Sequence, residues 1–169
     1  MSPKVDTTIR FSGLKSGIYE YHFDLTDEFF EAWRNDEIEG AEVQIDASME
    51  RMEHMLMFKF TLSGKLTTYC DRCLGALVLP VEGEEHLCVR FSDSEVVDDE
   101  EVVVLPETAF EIDIAQWLYE YVAVRIPLQH THSEGDCDPD MVKRISSDEA
   151  SAENTASSDP RWEALKTLK

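Results

Sequence analysis

Apolar and polar side chains alternate along much of the first 91 residues. The alternation covers residues 42–46, 56–67 and 77–91, and the apolar positions of each run share one parity. Successive side chains of a β-strand point to opposite faces, so these runs predict strands with one buried and one solvated face. Such strands are typical of an antiparallel sheet. The pattern therefore predicts an α+β fold built on an antiparallel β-sheet, arranged as a meander or in a barrel-like form.

The N-terminal quarter shows the same alternation in two shorter runs. Ile9 and Phe11 alternate with polar residues, as do the apolar residues of 19–25, and Gly13 and Gly17 lie between the two runs. Because glycine is common in turns, we expect these two runs to form a hairpin.

Two segments have helical spacing. Thr26 is the expected N-cap of a short helix whose first turn is acidic. From Ile114 to Ala123, apolar residues recur at the i, i+3, i+4, i+7 and i+8 positions of an amphipathic helix. Asp113 and Gln116 have the spacing of a capping box. The sequence thus predicts two helices packed on the sheet.

The composition changes after residue 132. Residues 133–158 are rich in acidic residues and serine and contain few large apolar side chains, which is typical of a flexible linker. Residues 159–169 open with Asp-Pro, the order of an N-cap and a first helical residue, and carry one apolar stripe. We therefore expect an α+β core domain at 1–132, an acidic flexible linker at 133–158 and a C-terminal amphipathic helical segment at 159–169.

The chain is strongly acidic. It has 15 Lys and Arg against 36 Asp and Glu, a formal net charge of −21, and its basic residues are scattered. A protein that grips a phosphate backbone needs a basic stripe, so tight binding to naked RNA or DNA is disfavoured. A cationic protein partner fits the charge better, because complementary fields speed encounter. Acidity that serves solubility alone is the competing interpretation.

Nothing in the sequence indicates a membrane. No apolar run approaches the roughly 18 residues of a membrane span, and the N-terminus lacks the apolar stretch of a signal peptide. We therefore expect a cytoplasmic protein whose cysteines are reduced.

Cys70 and Cys73 form a CxxC motif where a long alternating run ends. Two thiols with this spacing on a tight turn can face the same point, and His132 and Cys137 offer a second pair of ligands in a distant loop. A Cys3His set favours tetrahedral zinc. The sequence therefore predicts a zinc site formed by Cys70, Cys73, His132 and Cys137. Ordinary reduced cysteines are the competing interpretation.

Alternatives to this ligand set and to this chemistry stay open. His130 could replace His132, since alternate residues of an extended segment point to the same side. His86 and Cys88 are same-face neighbours and form a weaker candidate pair. A thioredoxin-like redox role is disfavoured, because a reactive thiol of that kind usually begins a helix, whereas this motif joins two strands.

Catalytic motifs are missing from the sequence. It contains no GxGxxG, Walker loop, GxSxG or HExxH motif. Its acidic pairs at 98–101 belong to a charge run that is typical of a solvated loop. We therefore assign no residue a catalytic role.

Four blocks of the sequence resemble the YceD family, the large ribosomal RNA subunit accumulation proteins. Residues 64–74 resemble the CxRC block of that family. Residues 111–127 resemble its acidic-capped helix and following proline. His132 lies five residues before Cys137, which is a third match, and residues 159–168 are similar to the terminal signature. Many relatives have a fuller cysteine cluster after the proline, where this chain has Cys137 with two histidines nearby.

The resemblance implies a bacterial cytoplasmic factor needed for the accumulation, processing or stability of large-subunit ribosomal RNA, with no catalytic residues carried over. Together with the charge, it leads us to expect a non-enzymatic ribosome-biogenesis factor. Its partner would be a ribosomal precursor particle or a basic ribosomal protein, with ribosomal RNA contacted indirectly. Two other functions compete with this one: an RNA-processing enzyme that uses clustered carboxylates and magnesium, and a small zinc-stabilised protein-interaction adaptor.

Overall fold

The computed structural model describes residues 5–93 and 102–153, and for residues 147–153 it describes the backbone alone. Seven strands and three helices lie in this part of the chain. In chain order they are β1 (Thr8–Arg10), β2 (Gly17–Leu25), α1 (Asp27–Glu31), β3 (Gly40–Arg51), β4 (Met55–Tyr69), β5 (Ala76–Phe91), β6 (Val102–Leu105), β7 (Glu111–Asp113), α2 (Ala115–Ala123) and α3 (Pro139–Glu153). None of the described helices is long and apolar enough to cross a membrane.

Five strands form the main sheet, in the order β2-β3-β4-β5-β6. The first four strands make an antiparallel meander, and β6 joins β5 in parallel. The α+β class with a mostly antiparallel sheet is therefore confirmed. The barrel-like alternative is wrong, because in the described residues β2 and β6 are the two edges of an open sheet and do not pair with each other.

One face of the sheet is the core of the protein. Its residues follow the alternation of the sequence and are almost completely buried. They include Val43, Ile45, Ala47 and Met49 on β3, and Leu56, Phe58, Phe60 and Leu62 on β4. Burying one such Leu or Phe side chain stabilises the fold by roughly 1.5–3 kcal/mol. The opposite face of the sheet stays in contact with solvent.

Both predicted helices pack on this buried face. Helix α1 contributes the buried Phe30, and α2 contributes Leu118 and Val122. Trp33, two residues after α1, stacks on Tyr119 of α2 with ring centroids 4.5 Å apart. The aromatic side chains therefore join the two helices across a gap of more than 80 residues of sequence.

The predicted helix caps form in part. Thr26 is the N-cap residue of α1, but its side chain makes no capping bond. The N-cap of α2 is Ile114, so this helix begins one residue later than expected and has no capping box. The Asp113 carboxylate accepts the N–H of Ala115 at 3.0 Å and the hydroxyl of Thr7 at 2.6 Å. Asp113 thus connects the start of α2 to the N-terminal segment.

The predicted N-terminal hairpin is wrong. Strand β1 pairs with β7 and not with β2, in a separate two-stranded sheet where Ile9 is opposite Ile112. Phe11 packs against Phe91 with ring centroids 5.1 Å apart. Apolar partners that are distant in the sequence therefore replace the local pairing that alternation and glycine indicated.

A third helix, α3, lies inside the stretch 133–158, where the sequence predicted a flexible linker and no helix; the described residues thus contain one helix more than the two that were expected to pack on the sheet. The Asp138 carboxylate accepts the N–H groups of Asp140 at 2.8 Å and Met141 at 3.3 Å, and Pro139 is the first helical residue. Asp138 is therefore an N-cap. The division into parts at residues 132 and 158 stays a prediction, and the segment 159–169 lies outside the described residues.

Strands β3 and β4 approach each other closely at Gly64, which is opposite Val43. A Cβ atom at Gly64 would lie 2.2 Å from the carbonyl oxygen of Glu42. Gly17 has almost the same φ, +157° against +158°, but a Cβ atom there would meet nothing within 4 Å. A comparison of substitutions at Gly64 and Gly17 therefore distinguishes the cost of the close approach from the cost of the backbone conformation.

We expect Gly64→Ala to lower the free energy of unfolding by about 2 kcal/mol more than Gly17→Ala does, because the added methyl group pushes β3 away from β4. Urea denaturation of the two variants measures this difference. Equal losses in both variants would contradict the close-approach argument.

Candidate metal centre

Two segments that are far apart in the sequence meet at one end of the sheet. The first is the turn 70–75, which joins β4 to β5, and the second is the stretch 130–137 between α2 and α3. The backbone N–H of Asp71 donates to the carbonyl of His130 at 3.0 Å. In return, the N–H of His130 donates to the Asp71 carboxylate at 2.7 Å. These two bonds hold the segments side by side.

The turn directs both thiols of the CxxC motif inward. The N–H of Cys70 donates to the carbonyl of Gly75, and the N–H of Leu74 donates to the carbonyl of Cys70, both at 2.8 Å. Leu74 has a φ of +57°, an unusual conformation for a residue other than glycine. Its side chain is exposed, whereas Cys70 and Cys73 are buried. The hydrogen bonds of the turn therefore hold a backbone conformation that places two sulfurs on the same side.

Cys70, Cys73, His132 and Cys137 form one cluster. Their ligand atoms all lie within 4.8 Å of one another, so the cluster could hold a metal ion. The sulfurs of Cys70 and Cys137 are 3.8 Å apart. Nδ1 of His132 is 3.4 Å from the sulfur of Cys73 and 4.0 Å from that of Cys137. The structure thus brings together all four residues that the sequence predicted as ligands; metal binding by them stays a prediction.

The thiols of the cluster are free. A disulfide requires sulfurs about 2.05 Å apart, and all four cysteines of the chain are unpaired. The CxxC motif joins two strands of an antiparallel meander and does not itself begin a helix. This is not the environment that activates a thioredoxin-like thiol.

Backbone N–H groups converge on two of the sulfurs. Burial by itself would raise the pKa of Cys70, but N–H groups of Cys73, His132 and Arg72 point at its sulfur and lower the pKa to about 6. The N–H groups of Asp138 and Gly75 lower the pKa of Cys73, and they outweigh the effect of its burial. Both residues are therefore biased toward the thiolate form, which is the form that ligates metals.

The pKa of the third thiol, that of Cys137, changes in the opposite direction. Burial, and next the proximity of Cys70 and Cys73, raise the pKa of Cys137. A cation among the three sulfurs would reverse this effect, because it stabilises every thiolate around it. The electrostatics of the cluster therefore favour a positively charged occupant.

His132 is oriented by a carbonyl group on the neighbouring strand. Its Nε2–H donates to the carbonyl oxygen of Ala76 at 3.0 Å. This bond, followed by those to the sulfurs of Cys73 and Cys70, raises the pKa of His132. In the neutral imidazole the same bond places the proton on Nε2 and leaves the lone pair of Nδ1 directed at the sulfurs.

His130, the alternative ligand, has a different role in the structure. Its Nδ1–H donates to the carbonyl of Pro127 at 2.9 Å, and its Nε2 lies 3.6 Å from the Asp71 carboxylate. His130 therefore tethers the loop to the turn and stands outside the cluster. The weaker pair, His86 and Cys88, lies on the solvated side of β5, also outside the cluster.

Several contacts around the cluster were not predicted from the sequence. These include the Ala76 carbonyl on His132, the Asp138 N–H on Cys73, and an apolar cover made by Leu77, Met141 and Val142. The first two are backbone groups, which leave no signal in residue identity. The third follows from α3, and the Asp-Pro pair at 138–139 is the signal that could have located this helix.

Comparison with family models gives a match over most of the chain. No curated protein matches the chain, and no solved structure does. The family model described as large ribosomal RNA subunit accumulation protein YceD matches residues 58–169. This range contains most of β4, the whole of β5, and all four residues of the cluster. The chain therefore belongs to the YceD family of large ribosomal RNA subunit accumulation proteins.

Proposed function

We propose that this protein is a non-enzymatic ribosome-biogenesis factor that supports the synthesis, processing or stability of large-subunit ribosomal RNA. The observation that carries the proposal is the family match over residues 58–169. The matched range contains the β4–β5 turn and all four residues of the Cys3His cluster. The cluster is then a structural element of the factor and not a catalytic centre.

The charge of the chain supports an indirect contact with RNA. A formal net charge of −21 repels a phosphate backbone. The same charge attracts basic ribosomal proteins, either free or already bound to the RNA of a precursor particle. We propose that the protein works in the cytoplasm through such a basic ribosomal partner.

We propose zinc as the metal of the cluster, because three of the distances between its ligand atoms are close to those of a tetrahedral zinc site. With Zn–S bonds of about 2.3 Å and Zn–N bonds of about 2.0 Å, a tetrahedral site separates two sulfurs by about 3.8 Å and a sulfur from a nitrogen by about 3.5 Å. The cluster has 3.8 Å between the sulfurs of Cys70 and Cys137, and 3.4 and 4.0 Å from Nδ1 of His132 to its two neighbouring sulfurs. Soft thiolates with one imidazole also favour zinc over magnesium or calcium.

Four protein ligands make the site structural. A catalytic zinc keeps one position open for water or substrate, and a Cys3His set leaves none. The ion would instead join the β4–β5 turn to the segment that leads into α3, which lies about 60 residues further along the chain. Its contribution would be to hold these two parts together.

We expect the purified protein to carry about one equivalent of zinc. Cys73→Ser should lose most of the metal and lower the midpoint of thermal unfolding by roughly 5–10 °C, because the ion that ties the two segments is gone. Cys88→Ser is the matched control, since Cys88 lies outside the cluster, and it should keep both metal and midpoint. Elemental analysis and calorimetry measure the two effects. A metal-free wild-type protein, prepared without chelators, would contradict the zinc assignment.

Substitutions of His132 and His130 should have different effects on zinc content. His132→Ala removes a ligand atom and should strongly reduce zinc content, whereas His130→Ala removes the tether to Pro127 and should leave zinc content near that of the wild type. Zinc content after dialysis against a weak chelator is the measurement. If His130→Ala lost the metal and His132→Ala kept it, the ligand assignment would be reversed.

Depletion of the protein from cells tests the function itself. We expect the ratio of large-subunit to small-subunit ribosomal RNA to fall, because the factor supports one of the two RNAs. Cells supplied with Cys88→Ser should recover the ratio, and cells supplied with Cys73→Ser should recover it less well. Quantitative electrophoresis of total RNA gives the ratio. A ratio that does not change on depletion would refute the proposed function.

A further inference from the structure

The solvated face of the main sheet is a large surface that the proposed function does not yet use. We call it the outer face, and it consists of the even-numbered residues of β2, β3 and β5 and the odd-numbered residues of β4. Helices α1 and α2 pack on the opposite face, and most of the side chains of the outer face are exposed. Among the described residues, no element covers it.

The outer face is acidic. Strands β2 and β3 contribute Glu20, Asp24, Glu42, Asp46 and Glu50. Strand β5 adds Glu82 and Glu84, and the basic residues of the face are Lys59, Lys65 and Arg90. With neutral histidines, these seven carboxylates and three bases give the four strands a formal charge of −4 on this side.

The two lysines already have partners. Nζ of Lys59 lies 2.8 Å from the Glu84 carboxylate, and Nζ of Lys65 lies 3.0 Å from that of Glu42. Exposed pairs of this kind are weak. They leave most of the carboxylates of the face without a lysine or arginine beside them, so the face as a whole attracts cations.

The middle of the face forms a shallow trough. Across the strands, Asp46 is opposite both His22 and Thr61, and Thr61 is opposite Glu84. In the next row the order is Asp24, Gln44, Ser63 and Glu82. Small polar side chains on β4 therefore have carboxylates on both sides, about 5 Å away for each strand crossed.

A depression of about 550 Å³ adjoins the Lys65 end of this trough, and Asp24, Glu42, Gln44, Ser63 and Gly64 are among the residues that line it. Lys59 and Lys65 stand at the two ends of the central part of the trough, six residues apart on β4. That separation is about 20 Å, which is the length of roughly six residues of extended peptide.

His22, on the β2 side of the trough, reports the sign of the local field. Nδ1 of His22 lies 2.7 Å from the Asp46 carboxylate, and Nε2 lies 3.2 Å from that of Asp24. The hydrogen bond with Asp46 is the main cause that raises the pKa of His22; burial opposes it, and the hydrogen bond with Asp24 adds to it. The trough therefore stabilises positive charge on the side chain that it already contains.

We propose that this trough binds a short, extended, lysine- and arginine-rich segment of a large-subunit ribosomal protein. The inference rests on the proposed function and names the surface through which it would act. Guanidinium and ammonium groups would meet carboxylates on both walls, and arginine could bind them in a bidentate manner. RNA is the wrong occupant, because its phosphates would face seven carboxylates. A second copy of this acidic chain would be repelled for the same reason.

Cross-linking and binding with a defined set of partners test the proposal. The probe is the protein mixture extracted from purified large ribosomal subunits, incubated with the full chain in its metal-loaded form. A carbodiimide joins carboxylates directly to lysines that touch them, and mass spectrometry identifies the linked residues. We expect links at Asp24, Asp46 and Glu82, and binding that weakens as salt is raised.

Two variants with the same change in charge separate the trough from acidity in general. The trough variant carries Asp24→Asn, Asp46→Asn and Glu82→Gln. The control variant carries Glu31→Gln, Asp36→Asn and Glu37→Gln, which change exposed residues of α1 and the connection to β3. We expect the trough variant to bind the cross-linked partner about tenfold more weakly and the control to stay within about twofold of the wild type. Equal thermal midpoints show that both variants are folded.

Three results would overturn the proposal. The first is an equal loss of binding in both variants, which would mean that net charge alone matters. The second is a set of links confined to other acidic segments, such as 93–101 or 133–138. The third is tighter binding of protein-free ribosomal RNA than of the ribosomal proteins.

Complementation of depleted cells with the two variants distinguishes failure of the proposed docking surface from failure of the proposed function. If depletion lowers large-subunit RNA and the trough variant restores it as fully as the control variant does, the docking surface is refuted and the function stands. If depletion changes nothing, the function is refuted, and links outside the trough would refute the docking surface separately. Recovery by the control variant but not by the trough variant supports both.

Discussion

The contact between the β4–β5 turn and the segment 130–137 is the constraint on which the candidate site depends. The two hydrogen bonds between Asp71 and His130 bring together two halves of a ligand set that are separated by about 60 residues. Without this contact, Cys70 and Cys73 would be an ordinary pair of thiols on a turn. With it, three sulfurs and one imidazole nitrogen converge in a buried pocket, and N–H groups bias two of the thiols toward the thiolate.

The same contact determines how the chain continues after the cluster. Cys137 is buried in the cluster, Asp138 directs its N–H at Cys73 and its carboxylate at the start of α3, and Pro139 begins the helix. Met141 and Val142 then cover the cysteines. Cluster and helix therefore depend on each other, since each supplies groups that the other requires. An ion in the cluster would stabilise both at once.

The two faces of the main sheet differ in environment, since one is buried and the other is exposed to solvent. The inner face and its helices supply the apolar burial that stabilises the fold. The outer face is left to solvent and carries the seven carboxylates of the trough side. A period of two in one stretch of sequence thus produces both a core and a charged surface, and side chains of the charged surface can be replaced without disturbing the core. The Cys3His cluster at one end and the acidic face are separate features, and their substitutions can be tested independently.

What the sequence determined by itself was local or chemical in nature. Alternation determined the strands β3, β4 and β5 and the parity of Phe58 and Phe60, because a strand must bury one face. Helical spacing located α2, and the thiol and imidazole chemistry indicated Cys70, Cys73, His132 and Cys137. Tertiary structure alone decided the rest. Strand β1 pairs with β7 and not with β2, and the Ala76 carbonyl orients His132. Because Gly83 has no side chain, the guanidinium of Arg125 fits beside it and pairs with Glu85. The reason is that such contacts join backbone groups and distant segments, and neither leaves a pattern in the order of residue types.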